Sequence, residues 1–371
     1  MNKLIALVFL LIATSANAVQ YNVAVLGTLG GDAGAYGMND NGQVVGNAYN
    51  NDTARIEAVI WNGGVVTSLG IEGIARAVNN FGTVVGENGT NATDNRTGNG
   101  RAYQWDSVNG YEDLGDLNGI YTGAYDINDS GVITGNTYFN NQTQFGLLSM
   151  HAYSWENGVM TDLAPPNATG GYSRGIGINE NGTVVGRASV DTFTNSDKYM
   201  AQWDSAGNFT HFAPPGNYSS GRDINNLEVA VGIARTGTDT PNRAAIWDAS
   251  GAITIFGSFG GDLSRFNAIN DSGVAVGMAQ ALGDIDTAMI SFDGLNMIDL
   301  NSLVDLTGTG IVSLTEAFDV NGNGDIVGIG VTASGEERAF LLTAVPVPAA
   351  VWLFGSALGL LGWFRKIRAA A

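Results

Sequence analysis

Asn39-Asp40-Asn41-Gly42-Gln43-Val44-Val45-Gly46 is a phrase of eight residues that returns six times before the C-terminus. The later copies read NNFGTVVG from Asn79, NDSGVITG from Asn128, NENGTVVG from Asn179, NNLEVAVG from Asn225, NDSGVAVG from Asn270 and NGNGDIVG from Asn321. Successive copies start 40 to 51 residues apart, a spacing that marks a repeat protein in which each unit is one supersecondary element. The residue types carry a turn mechanism. Asn and Asp side chains fold back onto nearby amides, and Gly takes the positive φ that closes a tight hairpin before a β-branched strand.

Before each turn stands a short segment with period-two patterning, such as Ala35-Tyr36-Gly37-Met38, Ala124-Tyr125-Asp126-Ile127, Gly221-Arg222-Asp223-Ile224 and Ala317-Phe318-Asp319-Val320. It reads as the first strand of a hairpin. After the turn strand comes an Ala-x-x-Trp segment, at Ala58–Trp61, Ala102–Trp105, Ala152–Trp155 and Ala244–Trp247, with Met200–Trp203 as a variant and Ala288–Phe292 and Ala339–Leu342 as degraded copies. A large ring recurring once per unit at one phase reads as a packing anchor between neighbouring units. A fourth apolar segment follows, for example Val65–Gly70, Val159–Leu163 and Ile253–Gly257. Four short strands in a unit of about 47 residues is the arithmetic of a propeller blade, so seven units predict an all-β, seven-bladed β-propeller.

The seventh unit stops after Ala339-Phe340-Leu341-Leu342 and lacks the fourth segment. That segment stands at the other end of the chain, as Tyr21-Asn22-Val23-Ala24-Val25-Leu26-Gly27. A unit split across the termini predicts a ring closed by the N-terminal strand, which removes two open edges. The longest stretches between second and third strands, Asn88–Asn99 and Phe139–Met150, are where a binding surface would vary.

The termini read as processing signals. Residues 1–18 have a short basic start, an apolar core and the small-x-small triplet Ala16-Asn17-Ala18, the pattern of a secretory signal peptide. Residues 345–371 carry Pro346 and Pro348, an apolar run to Phe364, and Arg365, Lys366 and Arg368, which reads as a short membrane-engaging segment with a cytoplasmic stop. The repeat domain is then 19–344. It contains no Cys, so it folds without disulfides or thiolate chemistry. The formal charge is -19, and removing Lys3, Arg365, Lys366 and Arg368 with the end segments leaves -23. Such a surface repels phosphate backbones, which excludes nucleic acid as a partner.

Candidate chemistry is sparse. The two histidines, His151 and His211, occupy variable polar strand positions and read as solvent-facing. Asp319, Asn321, Asn323 and Asp325 match the early ligand positions of an EF-hand loop, but Gly330 stands where the bidentate Glu belongs. The same residues are the seventh turn phrase, and the turn is the preferred reading. No cofactor is required, and Ca²⁺ is the one ion those oxygens suggest. Asp32, Asp126, Asp223 and Asp262 read as turn, cap or surface residues.

The repeat resembles the HAF family of bacterial extracellular proteins. The triplet corresponds to His151-Ala152-Tyr153 and Arg338-Ala339-Phe340, accompanied by Leu26–Gly31 and the turn phrase, and the likeness spans nearly all of Tyr21 to Leu342. The tail resembles the PEP-CTERM sorting signal on Pro346, Pro348, Ala349–Ser356, Arg365 and Lys366, with Val347 where that family often has Glu. These resemblances imply an exported protein, an exosortase-type processing protease as partner, transient inner-membrane contact through the tail, and delivery to the cell envelope, outer surface or extracellular matrix. The functional expectation is non-enzymatic binding of exopolysaccharide or an envelope component. The alternatives are a carboxylate-based glycan hydrolase or lyase on the propeller face and a purely structural matrix protein.

Overall fold

The computed structural model describes residues 21–89, 100–142, 148–164, 172–189, 197–238 and 240–345. The signal segment and the tail from Pro346, including Pro348, Arg365 and Lys366, lie outside the described residues. The strands in chain order are β1 (Tyr21–Val25), β2 (Gly30–Met38), β3 (Gln43–Asn50), β4 (Arg55–Asn62), β5 (Val65–Val78), β6 (Val84–Asn88), β7 (Ala102–Asp106), β8 (Gly110–Asp113) and β9 (Tyr121–Ile127). Then follow β10 (Ile133–Gln142), β11 (Leu148–Glu156), β12 (Val159–Asp162), β13 (Ser173–Ile178), β14 (Val184–Ser189), β15 (Lys198–Trp203), β16 (Phe209–Phe212), β17 (Ser219–Ile224) and β18 (Ala230–Ala234). The remainder are β19 (Arg243–Trp247), β20 (Ile253–Ile255), β21 (Gly260–Ile269), β22 (Ala275–Ala281), β23 (Ile285–Ser291), β24 (Ile298–Asp299), β25 (Ile311–Val320), β26 (Ile326–Thr332) and β27 (Glu337–Ala344). A short 3₁₀ turn at Leu300–Leu303 is the one helical element among the described residues, so none of them forms a helix that could cross a membrane.

All named strand pairs are antiparallel, and the fold is all-β and propeller-like. Five sheets are four-stranded and one is seven-stranded. Separate sheets for every unit were expected. Instead β5 runs for 14 residues, pairing with β4 and then with β6, because Glu72 still pairs with Glu57 across a register shift at which Gly70 and Gly73 take positive φ. The seven-stranded sheet is thus two four-stranded units sharing one strand. At the termini β1 lies antiparallel on β27, from Tyr21 opposite Ala344 to Val25 opposite Phe340. The first strands of successive units pack side by side in the order β2, β5, β9, β13, β17, β21, β25, and β25 packs against β2.

Seven apolar clusters each draw on consecutive units. Trp61 packs with Val327 and Ala339, Trp203 with Ala152, and Trp247 with Val185 and Met200, while in the seventh unit Leu342 holds the slot and packs with Val276 and Ala288. The recurring ring is therefore an anchor between units, as its phase predicts. The sixth unit corrects the alignment in one place. Ser291, opposite Ala275, holds the anchor slot, while Phe292 is exposed, because side chains alternate faces along a strand. The Phe139–Met150 stretch also differs from the expectation of a loop: β10 runs to Gln142 and β11 starts at Leu148.

Candidate axial site

Two positions of the phrase are identical in all seven copies, the first Asn and the last Gly, and the structure gives each a distinct reason. The Asn Oδ1 accepts the amide four residues on, at 2.9 to 3.0 Å in every copy, which caps the hairpin. Its Nδ2 reaches into the next unit and donates to the backbone oxygen of the next first Asn. The chain of bonds runs Asn39 to Asn79, Asn128, Asn179, Asn225, Asn270 and Asn321, and Asn321 donates back to Asn39 at 3.3 Å. All seven are buried, so each polar group is satisfied by this cycle.

The last Gly faces a carbonyl on the first strand. A Cβ at Gly46, Gly86, Gly135, Gly186, Gly232, Gly277 or Gly328 would collide with the backbone oxygen of Gly34, Ile74, Gly123, Arg174, Ser220, Arg265 or Glu316. That close approach accompanies a bulge: every first strand slips register by one residue, at Tyr36, Arg76, Tyr125, Ile176, Arg222, Asn267 and Phe318. A bulge re-aims side chains. Here residues from all seven first strands line one cavity of about 210 Å³: the bulge residues Tyr36, Arg76, Tyr125, Ile176, Arg222, Asn267 and Phe318, with Ala77, Asp126, Asp223, Ala268, Asp319 and Arg174.

Asp126 and Asp223 are therefore not turn or surface residues, which corrects the expectation; Asp32 and Asp262 are exposed as expected. Asp126, Asp223 and Asp319 are half-buried, and the surface they keep opens onto the cavity. Each carboxylate links two units. Asp126 Oδ2 accepts the amide of Ile178, Asp223 Oδ2 that of Ile269 and Asp319 Oδ2 that of Met38, each at 2.8 Å, while the other oxygen accepts the amide of the next residue in its own strand. Burial pushes Asp126 well above the usual carboxylate range, with the charge of Asp223 adding to it. Burial likewise raises Asp223 to about 7 and Asp319 to about 6, against the opposing pull of those amides. The signal for these residues was present in the sequence: three acids stand at a position that the other units fill with Gly37, Ala77, Gly177 and Ala268.

The basic groups on the axis fall into two kinds. Arg76 forks onto Glu87, and Arg265 onto Glu316 with Asn267 joining, so these charges are neutralised in place. Burial alone would lower Arg76, but Glu87 raises it overall. Arg174 and Arg222 form no ion pair among the described residues. Arg222 donates to Asn267 Oδ1 at 3.2 Å, and burial together with Arg265 lowers it to about 10. Arg174 stacks over the Tyr125 ring, 4.4 Å from its centroid, and among the described residues Arg174 Nε and Tyr125 Oη have no partner at hydrogen-bond geometry.

The other sequence candidates lie elsewhere. His211 is exposed and stacked on Phe209 and Tyr199. His151 is half-buried rather than solvent-facing, because its Nδ1 lies 2.9 Å from Asp162 Oδ2 and its ring sits on Phe139. Of the EF-hand look-alike, Asp319 faces the cavity, Asn321 Oδ1 accepts the amides of Asn323 and Asp325, Asn323 Nδ2 donates to the Asp40 carbonyl, and Asp325 Oδ1 accepts the Ala344 amide.

No protein-family model matches the chain, and no curated protein matches it. Among solved structures the fold is similar to virginiamycin B lyase from Staphylococcus aureus, with a TM-score of 0.53 and 14% identity over 88% of this chain and 100% of that one. TolB from Acinetobacter baumannii has a TM-score of 0.44 and 11% identity over 81% of this chain and 63% of that one. A mutant of Trypanosoma rangeli sialidase has a TM-score of 0.43 and 8% identity over 88% and 59%. The first likeness supports a propeller-like fold and says nothing of activity; the other two carry no further weight.

Proposed function

We propose that this chain is an exported, seven-bladed propeller of the cell envelope or extracellular matrix that binds an extracellular polysaccharide through its axial face without cleaving it. The single observation that carries the reading is the axial cavity, to which all seven first strands contribute and which collects polar groups without partners. The bond cycle through seven Asn residues and the pairing of β1 with β27 support a closed ring. Export and sorting rest on the end segments: a signal peptide at 1–18 and a tail from 345 for an exosortase-type protease, with transient membrane contact.

A glycan hydrolase is the second reading, favoured by Asp223, a cavity carboxyl raised to about 7 as a general acid requires. Both of its oxygens accept backbone amides, however, which favours the ionised carboxylate over the protonated form that a general acid needs. The test is incubation of the purified protein with the host's own exopolysaccharide, with and without Ca²⁺, following retention and chain length together. Retention at unchanged length is expected. Shortening abolished by Asp223→Asn would transfer the site to the hydrolase reading, and absence of retention under both conditions would leave a structural matrix role.

A further inference from the structure

Among the described residues Arg174 and Arg222 are cations without carboxylate partners in a strongly acidic protein, and both line the axial cavity. Removing a guanidinium from water is unfavourable unless its donors and charge are compensated. The two other arginines on the first strands of this region receive forked carboxylates, so partners were available to the fold and were not placed at Arg174 and Arg222. Beside them Tyr125 Oη and Arg174 Nε have no partner at hydrogen-bond geometry among the described residues. A fork of guanidinium donors matches an oxyanion. Tyr36 and Phe318 meet edge to face, with ring centroids 5.0 Å apart, and give the same cavity an aromatic wall suited to the body of a sugar ring.

Resting on the polysaccharide-binding reading above, we infer that the axial cavity is a site for a single acidic sugar unit, its carboxylate held by Arg174 and Arg222 and its ring against Tyr36 and Phe318. The volume of about 210 Å³ suits one such unit rather than a length of polymer, so the site reads a chain end or a side branch.

The probes are D-glucuronate, D-glucose as the neutral ring and sulfate as a bare oxyanion, at millimolar concentration, against the purified protein by thermal shift and calorimetry. D-Glucuronate is expected to raise Tm and to release measurable heat, and D-glucose to do neither. The variants are Arg174→Met and Arg222→Met. Replacing a half-buried cation without a carboxylate partner by an apolar side chain leaves an unliganded fold at least as stable, so each variant is expected to keep or raise its own Tm while losing the D-glucuronate shift at least tenfold in concentration. A lowered Tm without ligand in both variants would assign the arginines to structure and overturn the inference. So would equal shifts by D-glucose, or a shift by sulfate with none by D-glucuronate. Failure of the binding reading is separable. Exopolysaccharide retained as well by the arginine variants as by the parent would overturn this inference and leave that reading standing, whereas a D-glucuronate shift without any polymer retention would do the reverse.

Discussion

Trp61 and Trp203 occupy the same slot and are both buried, yet their indole nitrogens differ. Trp61 Nε1 donates to the Gly27 carbonyl at 2.7 Å, while Trp203 Nε1 is buried with no partner. The ring area is common to both, so the two sites separate packing from hydrogen bonding. Trp203→Phe removes an unsatisfied donor and should cost less than about 1.5 kcal/mol, whereas Trp61→Phe also leaves a carbonyl unpaired and should cost about 1 to 2 kcal/mol more. Urea unfolding of the two variants measures the difference. Equal losses would mean that the Gly27 bond contributes nothing.

At the scale of the hairpin, one phrase holds residues with unlike duties. In the fourth copy Asn179 Oδ1 accepts the amides of Asn181 and Thr183, and Nδ2 donates to the buried Asn225 carbonyl in the next unit. Asn181, two residues on, makes its side-chain bonds in an exposed setting. Asn179→Ala should cost about 2 to 4 kcal/mol, through a lost cap and an orphaned carbonyl, and Asn181→Ala about 0.5 kcal/mol or less. Asn179→Asp keeps the capping oxygen but sets a carboxylate against the Asn225 carbonyl and the Glu228 carboxylate, so its loss should exceed that of Asn179→Ala. Comparable denaturant midpoints for Asn179→Ala and Asn181→Ala would show the cycle of asparagines to be energetically idle. The hairpin's own turn was legible from Asn and Gly spacing, because the atoms that make it lie within four residues of one another. The bulge beneath the last Gly was not, since its cause is a carbonyl on the preceding strand.

For the whole molecule, the junction between the first and last units depends on β1. Its pairing with β27 covers an edge, and Tyr21 and Leu26 are buried in separate clusters on either side of the junction. Deleting residues 19–29 should expose the β27 edge and remove both anchors, so the truncated protein is expected to lose its cooperative transition or to self-associate. Sedimentation and thermal unfolding check this. A monomer as stable as the parent would mean that the fold does not need its N-terminal strand.

By itself the sequence determined the period, the hairpin turns, the four-strand unit, the anchor rings and the terminal strand that completes the last unit. These follow from patterns repeated within tens of residues, where turn chemistry and strand alternation act locally. Only the tertiary structure decided that Asp126, Asp223 and Asp319 turn inward to link neighbouring units, and that Arg174 and Arg222 meet in one cavity without carboxylate partners among the described residues. Those side chains come from strands about a full repeat apart, or, for Asp319 and Met38, from opposite ends of the chain. No local pattern encodes such neighbours, because it is the arrangement of the units around a common axis, together with the bulge in each first strand, that brings them together.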